Sequence, residues 1–219
     1  MQLSKSEFDE HFNNSALFVS LVGMSNVGKS YIAGHLAADL KFANHCIDDL
    51  IEAMLKPFLE GKGFKGIDGV AAWMGQPYET QYSETQRLYL GFEEASMRGI
   101  ESLTGQNRVI DTTGSVVYLP EAVLGNLKER TLVVYLEATD NIKHALFARY
   151  ISNPKPVIWG TSFNRKPGES ELEALKRCYP QLLEYRDAEY RKLADVAIPC
   201  SVLLNATGKQ FLDELRSRL

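Results

Sequence analysis

Cysteine is scarce in this chain, and Cys46, Cys178 and Cys200 stand far apart. An odd number without C-x-x-C spacing argues against a disulfide framework and against a cysteine-based zinc site. His11, His35, His45 and His144 likewise share no metal-ligand spacing. No apolar run approaches the roughly 20 residues that a membrane-spanning helix needs. The opening stretch Met1 to Glu7 is polar where a secretion signal would be apolar. A cytoplasmic, reducing setting without membrane association is the expectation. Positive charge is also short, with 24 Lys and Arg against 28 Asp and Glu for a net charge of −4. Lacking a basic surplus to neutralise a phosphate backbone, the chain is not expected to bind nucleic acids in general. No internal repeat, low-complexity tract or linker interrupts it, so residues 1–219 read as a single domain. Composition leaves the oligomeric state open.

Against these absences stands one dense motif. Residues 23 to 30, Gly-Met-Ser-Asn-Val-Gly-Lys-Ser, match G-x-x-x-x-G-K-[ST] in full. Each fixed position has a physical task. Gly23 and Gly28 permit backbone turns through which successive N–H groups converge on phosphate oxygens. Lys29 supplies a point charge for the β- and γ-phosphates, and the Ser30 hydroxyl suits Mg²⁺. The following helix adds its positive N-terminal end. A strand-length apolar run, Ala16 to Val22, precedes the loop. After it Ile32, Leu36 and Leu40 recur at helical spacing. Met24, Ser25, Asn26, Val27 and Tyr31 complete the expected nucleotide contacts.

The same alternation continues along the chain. Strands are expected at 43–47, 108–111, 130–136 and 196–198. Helices are expected at 4–12, from Asp48 onward, at 67–73, 80–100, 120–128, 140–151, 170–194 and 208–219. Asp48 reads as the N-cap of its helix. Strands alternating with helices imply an α/β fold of three layers: a central parallel sheet of about five strands with helices on both faces. Residues 152–169 break the pattern with Pro154, Pro156, Pro167 and Gly168 amid Lys155, Arg165 and Lys166. A loop of that length in a compact domain is commonly functional or disordered.

Several residues carry two readings. Asp111 ends an apolar strand, where it either serves a metal ion or opens a turn. Thr112, Thr113 and Ser115 beside it either meet a substrate or cap the next segment. Trp73, Tyr78, Tyr82, Tyr89 and Phe92 either line an acceptor pocket within residues 56–100 or belong to the core. Lys155, Arg165 and Lys166 are either lid cations that touch phosphate or a solvated basic loop.

Taken in order, these pieces resemble a shikimate kinase, within the nucleoside monophosphate kinase-like group of phosphate-loop enzymes, over roughly residues 15–218. Cys46-Ile47-Asp48-Asp49-Leu50-Ile51-Glu52 is similar to that family's D-x-D-x-x-I-E, with Cys46 at its magnesium-associated aspartate. The resemblance implies that Asp48 binds substrate and orients the reacting hydroxyl or takes its proton. Asp49 then does the metal-linked work for which a thiol is poorly suited. Val109 to Gly114 resembles the Z-Z-D-x-x-G segment, with Thr113-Gly114-Ser115 replacing three glycines. Gly114 and Ser115 are the implied acceptor contacts there. Val133 to Leu136 matches V-V-x-L and leads to Arg149, which either stacks on adenine or ends its helix as a favourable cation. Asn153 to Ile158 is similar to the R-P-L-L lid, which implies a mobile lid at residues 152–169 and places Lys155 at the lid arginine. Arg186-Asp187-Ala188-Glu189-Tyr190 with Ala194-Asp195 resembles R-x-P-L-Y…A-D. Arg186 is then the acceptor-binding arginine, although the surrounding Glu184, Asp187 and Glu189 also suit surface ion pairing. No F-R-x-x-E match lies between the second and third strands.

The implied activity is ATP- and Mg²⁺-dependent transfer of the γ-phosphoryl to a hydroxyl of a small molecule. Lys29, Asp48 and Lys155 are its catalytic candidates, and Ser30, Asp111 and Asp49 hold the metal. Two other readings remain open: a nucleotide-binding switch or NTPase without transfer, and a kinase of a nucleotide or macromolecular hydroxyl docking on the region from residue 56.

Overall fold

Runs of aliphatic and β-branched residues form the strands, and a segment with helical spacing follows each. The computed structural model describes residues 1–60, 63–64, 66–152 and 157–219. Its first half runs α1 (Lys5–Asn13), β1 (Phe18–Val22), α2 (Lys29–Leu40), β2 (Ala43–Cys46), α3 (Ile47–Glu60), α4 (Gly66–Met74) and α5 (Tyr82–Arg98). Then come β3 (Arg108–Asp111), α6 (Glu121–Arg130), β4 (Leu132–Glu137), α7 (Asp140–Ser152), α8 (Glu171–Leu193), β5 (Val196–Pro199) and α9 (Gly208–Ser217).

All five strands pair in parallel, in the order β2-β3-β1-β4-β5. Consecutive residues from Val19 to Val22 and from Leu132 to Leu136 are buried, so both faces of the sheet are covered. The expected three-layer α/β architecture is the one the chain adopts. Leu21 pairs with Asp111 on one side and Val134 on the other, while Cys46 pairs with Asp111. The carboxyl ends of β1, β2 and β3 therefore finish side by side. The segments leaving those ends face one crevice, as parallel sheets of this kind provide.

Two local expectations change. α3 begins at Ile47, directly after β2, so Asp48 lies inside the first turn instead of capping it. With no residue between strand and helix, the cap position falls back on β2, and Asp48 is released to face the crevice. Of residues 152–169, expected as a mobile lid, the described part from residue 157 onward is anchored at one end. Ile158 and Trp159 are buried, and Trp159 packs edge-on against Tyr150, Phe163 and Tyr179. Tyr82 Oη donates to Val157 O at 2.7 Å and accepts from Trp159 N at 2.9 Å.

Candidate functional site

The loop after β1 is shaped by two backbone constraints. Gly23 has φ 145°, and a Cβ there would lie 2.7 Å from Leu136 O. Gly28, at φ 101°, turns the chain into α2 in the left-handed region that favours glycine. Lys29 then opens the helix, buried, with Nζ donating to Gly23 O at 2.9 Å and Met24 O at 3.0 Å. Burial pushes the Lys29 ammonium down from its ordinary pKa, while Asp111 and Asp48 act to keep it charged.

Asp111 is buried at the end of β3. Desolvation raises its pKa, opposed by the neighbouring Ser30 hydroxyl and the Lys29 charge. Its Oδ1 is buried and has no hydrogen-bond partner among the described residues. An orphaned carboxylate oxygen beside a hydroxyl is a hard-oxygen donor set, and it fits Mg²⁺. Cys46, next to it in register, has its thiol pushed up to about 11, first by burial and then by the surrounding aspartates. A protonated thiol gives a hard cation nothing to bind.

A cavity of about 240 Å³ opens over these strand ends. One side is the phosphate loop, through Ser25, Asn26, Lys29 and Ser30. The other is assembled from Asp48, Ile51 and Glu52 of α3, Val70 of α4, Tyr89 of α5 and the Thr113–Ser115 turn, closed by Ile158 and Arg186. Asp48 is open to solvent through the cavity, yet the crowding protein raises its pKa by desolvation, with Lys29 pulling the other way. Tyr89 Oη lies 3.5 Å from Asp48 Oδ1. Arg186 is 6% exposed, which rules out the surface ion-pair reading. Its Nη2 donates to Ile158 O at 2.6 Å, and its guanidinium lies 5.4 Å from the Tyr118 ring centre. Gly114 lets the chain pass close to the loop: a Cβ there would stand 3.1 Å from Ser25 Oγ and 3.4 Å from Arg186 Nη1.

The structure thus gathers Ser25, Asn26, Lys29, Ser30, Asp48, Gly114, Ser115 and Arg186 around one space. Met24 and Arg149 line a smaller recess next to it, shared with Ser25, Asn26 and Arg186. Gly23, Val27 and Gly28 shape the loop without lining either space, and Tyr31 is exposed, its ring against His35. Asp49 is exposed, and its charge adds to the upward shift of Asp111. Lys155 lies outside the described residues. Arg165 turns away, with Nε donating to Glu169 O at 2.7 Å, and neither it nor Lys166 lines the cavity. Of the aromatic candidates, Tyr89 alone lines it. Trp73 and Phe92 pack on Phe58, Tyr78 packs on Phe163, and Tyr82 holds the backbone at 157–159.

Glu93 escaped the sequence reading. It is fully buried behind the turn, with Ser115 Oγ donating to one carboxylate oxygen at 2.6 Å and Thr113 Oγ1 donating to the other. Burial lifts its pKa to about 7, against the lowering effect of those two hydroxyls. A signal was available: Tyr82, Thr85, Tyr89, Glu93 and Ser96 recur at helical spacing on one buried stripe of α5. A carboxylate on such a stripe needs partners.

A phosphate loop between β1 and α2, in a five-stranded parallel sheet with the loop strand at its centre, defines a phosphate-loop protein of the kinase type. Within that class the chain resembles the shikimate kinases in sequence and in fold. A shikimate kinase of Shewanella loihica is 25% identical over 198 residues, covering 90% of this chain and 95% of that protein. The structure of the Acinetobacter baumannii shikimate kinase in complex with shikimate superposes with a TM-score of 0.60 at 21% identity, covering 93% and 95% of the two chains. That of the Bacteroides thetaiotaomicron enzyme gives 0.58 at 15% identity, covering 91% and 98%. No protein-family model matches the chain. Among the described residues no helix is long and apolar enough to cross a membrane.

Proposed function

We propose that this protein transfers the γ-phosphoryl group of ATP, with Mg²⁺, to a hydroxyl of a small molecule. The observation that carries the reading is the single cavity shared by Lys29 and Ser30 of the phosphate loop with Asp48, the Thr113–Ser115 turn and Arg186. A site that only held nucleotide would have no need of a second, polar wall facing the phosphates. Likeness to the shikimate kinases in sequence and fold supports the same reading.

Transfer of this kind depends on in-line positioning and on neutralising charge at the phosphoryl oxygens. The loop N–H groups hold the phosphates, with Met24 and Arg149 at the nucleotide side. Lys29 balances their charge from a buried position. Ser30 and Asp111 would hold the metal, with Asp49 adding negative field; bound Mg²⁺ supplies charge neutralisation on the phosphate oxygens. Asp48 orients the acceptor hydroxyl, and its raised proton affinity suits it to take the proton as the new O–P bond forms and the bond to ADP breaks. Gly114 and Ser115 contact the acceptor, and Arg186 meets it where it abuts the phosphate loop. Lys155 and the segment 152–169 are the lid in this proposal. A cytoplasmic location, where ATP is supplied and the three free cysteines stay reduced, belongs to the same reading.

The test is acceptor-dependent ADP formation with ATP and Mg²⁺ across hydroxy acids, sugars, cyclitols and nucleosides. One class is expected to raise turnover above the ATP-only rate, and Lys29→Ala to abolish that rise. Transfer that survives Lys29→Ala would overturn the site. Tight nucleotide binding with no acceptor response would favour the switch reading instead.

A further inference from the structure

The turn after β3 is backed by a ring of oxygens. Thr113 Oγ1 contacts Glu93 Oε1, Ser115 Oγ lies 2.6 Å from Glu93 Oε2, and the two hydroxyl oxygens stand 2.9 Å apart. Ser115 N also donates to Thr113 Oγ1 at 3.0 Å, which ties the two ends of the turn together. Tyr190 Oη donates to Gly114 O at 2.6 Å and holds its middle. Glu93 is fully buried, and among the described residues its carboxyl group meets only these two hydroxyls.

Counting protons decides the form of Glu93. Each of the three oxygen pairs needs one proton between its members. With an ionised carboxylate only the Thr113 and Ser115 hydroxyl protons are present. Both go to Glu93, and the pair between Thr113 and Ser115 then faces lone pair to lone pair. A neutral carboxylic acid brings the third proton. One contact to Glu93 then runs from the acid to the hydroxyl, and the ring closes with one proton per pair. In either direction around the ring, Thr113 Oγ1 donates once and accepts twice, the second time from Ser115 N. Ser115 Oγ donates once, accepts once, and keeps one lone pair at the cavity it lines.

The charged and titratable groups facing Glu93 belong to four elements. Asp48 of α3 opposes its ionisation and Arg186 of α8 favours it, both with less weight than burial and the two hydroxyls. Lys29 of α2, Tyr89 of α5 and Tyr190 of α8 feel its charge. None of them pairs with it among the described residues, since Arg186 Nη2 donates to Ile158 O and Tyr190 Oη to Gly114 O. Burial lifts Glu93 to about 7, in accord with the proton count.

We propose, on the basis of the phosphotransferase reading above, that Glu93 is a positioning residue of the acceptor site, whose neutral acid closes this ring and so fixes the Thr113–Ser115 turn and the Ser115 lone pair that receives an acceptor hydroxyl. Glu93 touches no substrate. Its ionisation, with the proton lost to solvent, opens the contact between Thr113 and Ser115 and loosens the wall, while the phosphate loop is unaffected.

Glu93→Gln is the informative variant, because an amide repeats the neutral acid: Nε2 donates, Oε1 accepts, and nothing titrates. ADP formation is measured with shikimate, myo-inositol, glucose and adenosine as probes, at saturating ATP and Mg²⁺, from about pH 6 to about pH 8. Binding of a fluorescent ATP analogue is followed separately over the same range. For a probe that responds, the native-to-variant ratio of kcat/KM is expected to fall about tenfold with rising pH, as a group near pKa 7 passes from mostly protonated to mostly ionised. The change is expected in the acceptor KM, with the ratio for analogue binding constant. Asp48 and Lys29 are present in both proteins, so their own titrations cancel in the ratio. Infrared difference spectra, native minus variant, give a check that needs no acceptor. They are expected to show the carbonyl band of a protonated carboxyl that disappears with a midpoint near 7. A ratio independent of pH, the result of a merely structural Glu93, overturns the proposal, as does absence of that band at about pH 6. An equal fall in analogue binding overturns it too, because the ring would then serve the nucleotide. If no probe raises ADP formation, the phosphotransferase reading falls and takes the positioning role with it, a result distinct from a responding probe with a flat ratio.

Discussion

The two halves of the cavity are built by opposite means. The donor half is one continuous loop, Gly23 to Ser30, whose chemistry resides mainly in backbone N–H groups and a single lysine. The half proposed for the acceptor is assembled from α3, α4, α5, the turn after β3, residue 158 and α8, and its chemistry resides in side chains. Backbone chemistry constrains sequence tightly, because only glycine satisfies φ 145° with Leu136 O where a Cβ would stand. Side-chain chemistry drawn from distant segments permits substitution, since each segment needs only to deliver some polar atom to the space. The comparison therefore teaches that the phosphate-loop half is fixed by backbone geometry, while the other half is set by side-chain polarity that substitution can revise.

The strongest way to break this comparison is at Lys29. Its ammonium is buried, held by two loop carbonyls and faced by Asp111 and Asp48. Lys29→Ala is expected to reduce kcat/KM for any acceptor by about a thousandfold, the loss typical of a preorganised group facing developing charge. A kinetic comparison across several acceptors checks this, and unequal losses would mean that the donor half also selects the acceptor.

Glu93 probes the other half through stability. Its folded pKa of about 7 lies above the ordinary 4.5, so the folded state holds a proton that the unfolded chain has already released. Stability from this group is full below pH 4.5 and is lost as pH rises toward 7. The integrated loss is about 3 kcal/mol. Glu93→Gln keeps the shape and removes the titration. Denaturant midpoints from about pH 5 to about pH 8 are expected to show the variant gaining on the native protein as pH rises. A constant difference between the two would show that Glu93 does not titrate in this window.

Arg186 tests the seam between the halves. Arg186→Ala is expected to lower kcat/KM for the acceptor by about a hundredfold, as truncation of a buried hydrogen-bonded charge does. The dissociation constant for ATP is expected to change by less than about threefold. Equal losses in both would assign the arginine to the nucleotide, and a thermal melt run alongside separates either result from unfolding.

The fold was legible almost throughout, because strand runs such as Val133 to Leu136 and stripes such as Ile32, Leu36 and Leu40 carry their own period. The donor site was legible for the same reason, its spacing being local. What escaped depends on distance. Glu93 meets Ser115 across 22 positions of chain, and no spacing rule links a helix stripe to a turn after the next strand. Arg186 was reached only through the family resemblance, since its charged neighbours Glu184, Asp187 and Glu189 equally suit a surface position, yet its own face of α8 is buried. Asp48 was misassigned as a cap because the strand-to-helix joint at Cys46–Ile47 leaves no intervening residue. Trp159 was hidden by the prolines and basic residues around it, although its burial in an aromatic cluster fixes one end of the expected lid.

The finest comparison concerns the metal side, where Asp111 and Cys46 stand as register partners at the ends of β3 and β2. Asp111 Oδ1 is buried without a partner among the described residues, while the Cys46 thiol is held protonated. In the proposed reading one carboxylate and the Ser30 hydroxyl would therefore carry the contribution of the described residues to Mg²⁺, apart from the field of Asp49. Asp111→Asn keeps volume and removes the charge, so the Mg²⁺ concentration giving half-maximal rate is expected to rise by about tenfold. ATP affinity measured without metal is expected to rise slightly, because a negative charge beside the phosphates has gone. Cys46→Ser, in contrast, is expected to leave the Mg²⁺ requirement unchanged. If the serine variant altered that requirement as much as Asp111→Asn does, the end of β2 would belong to the metal site and the two halves would share their cation.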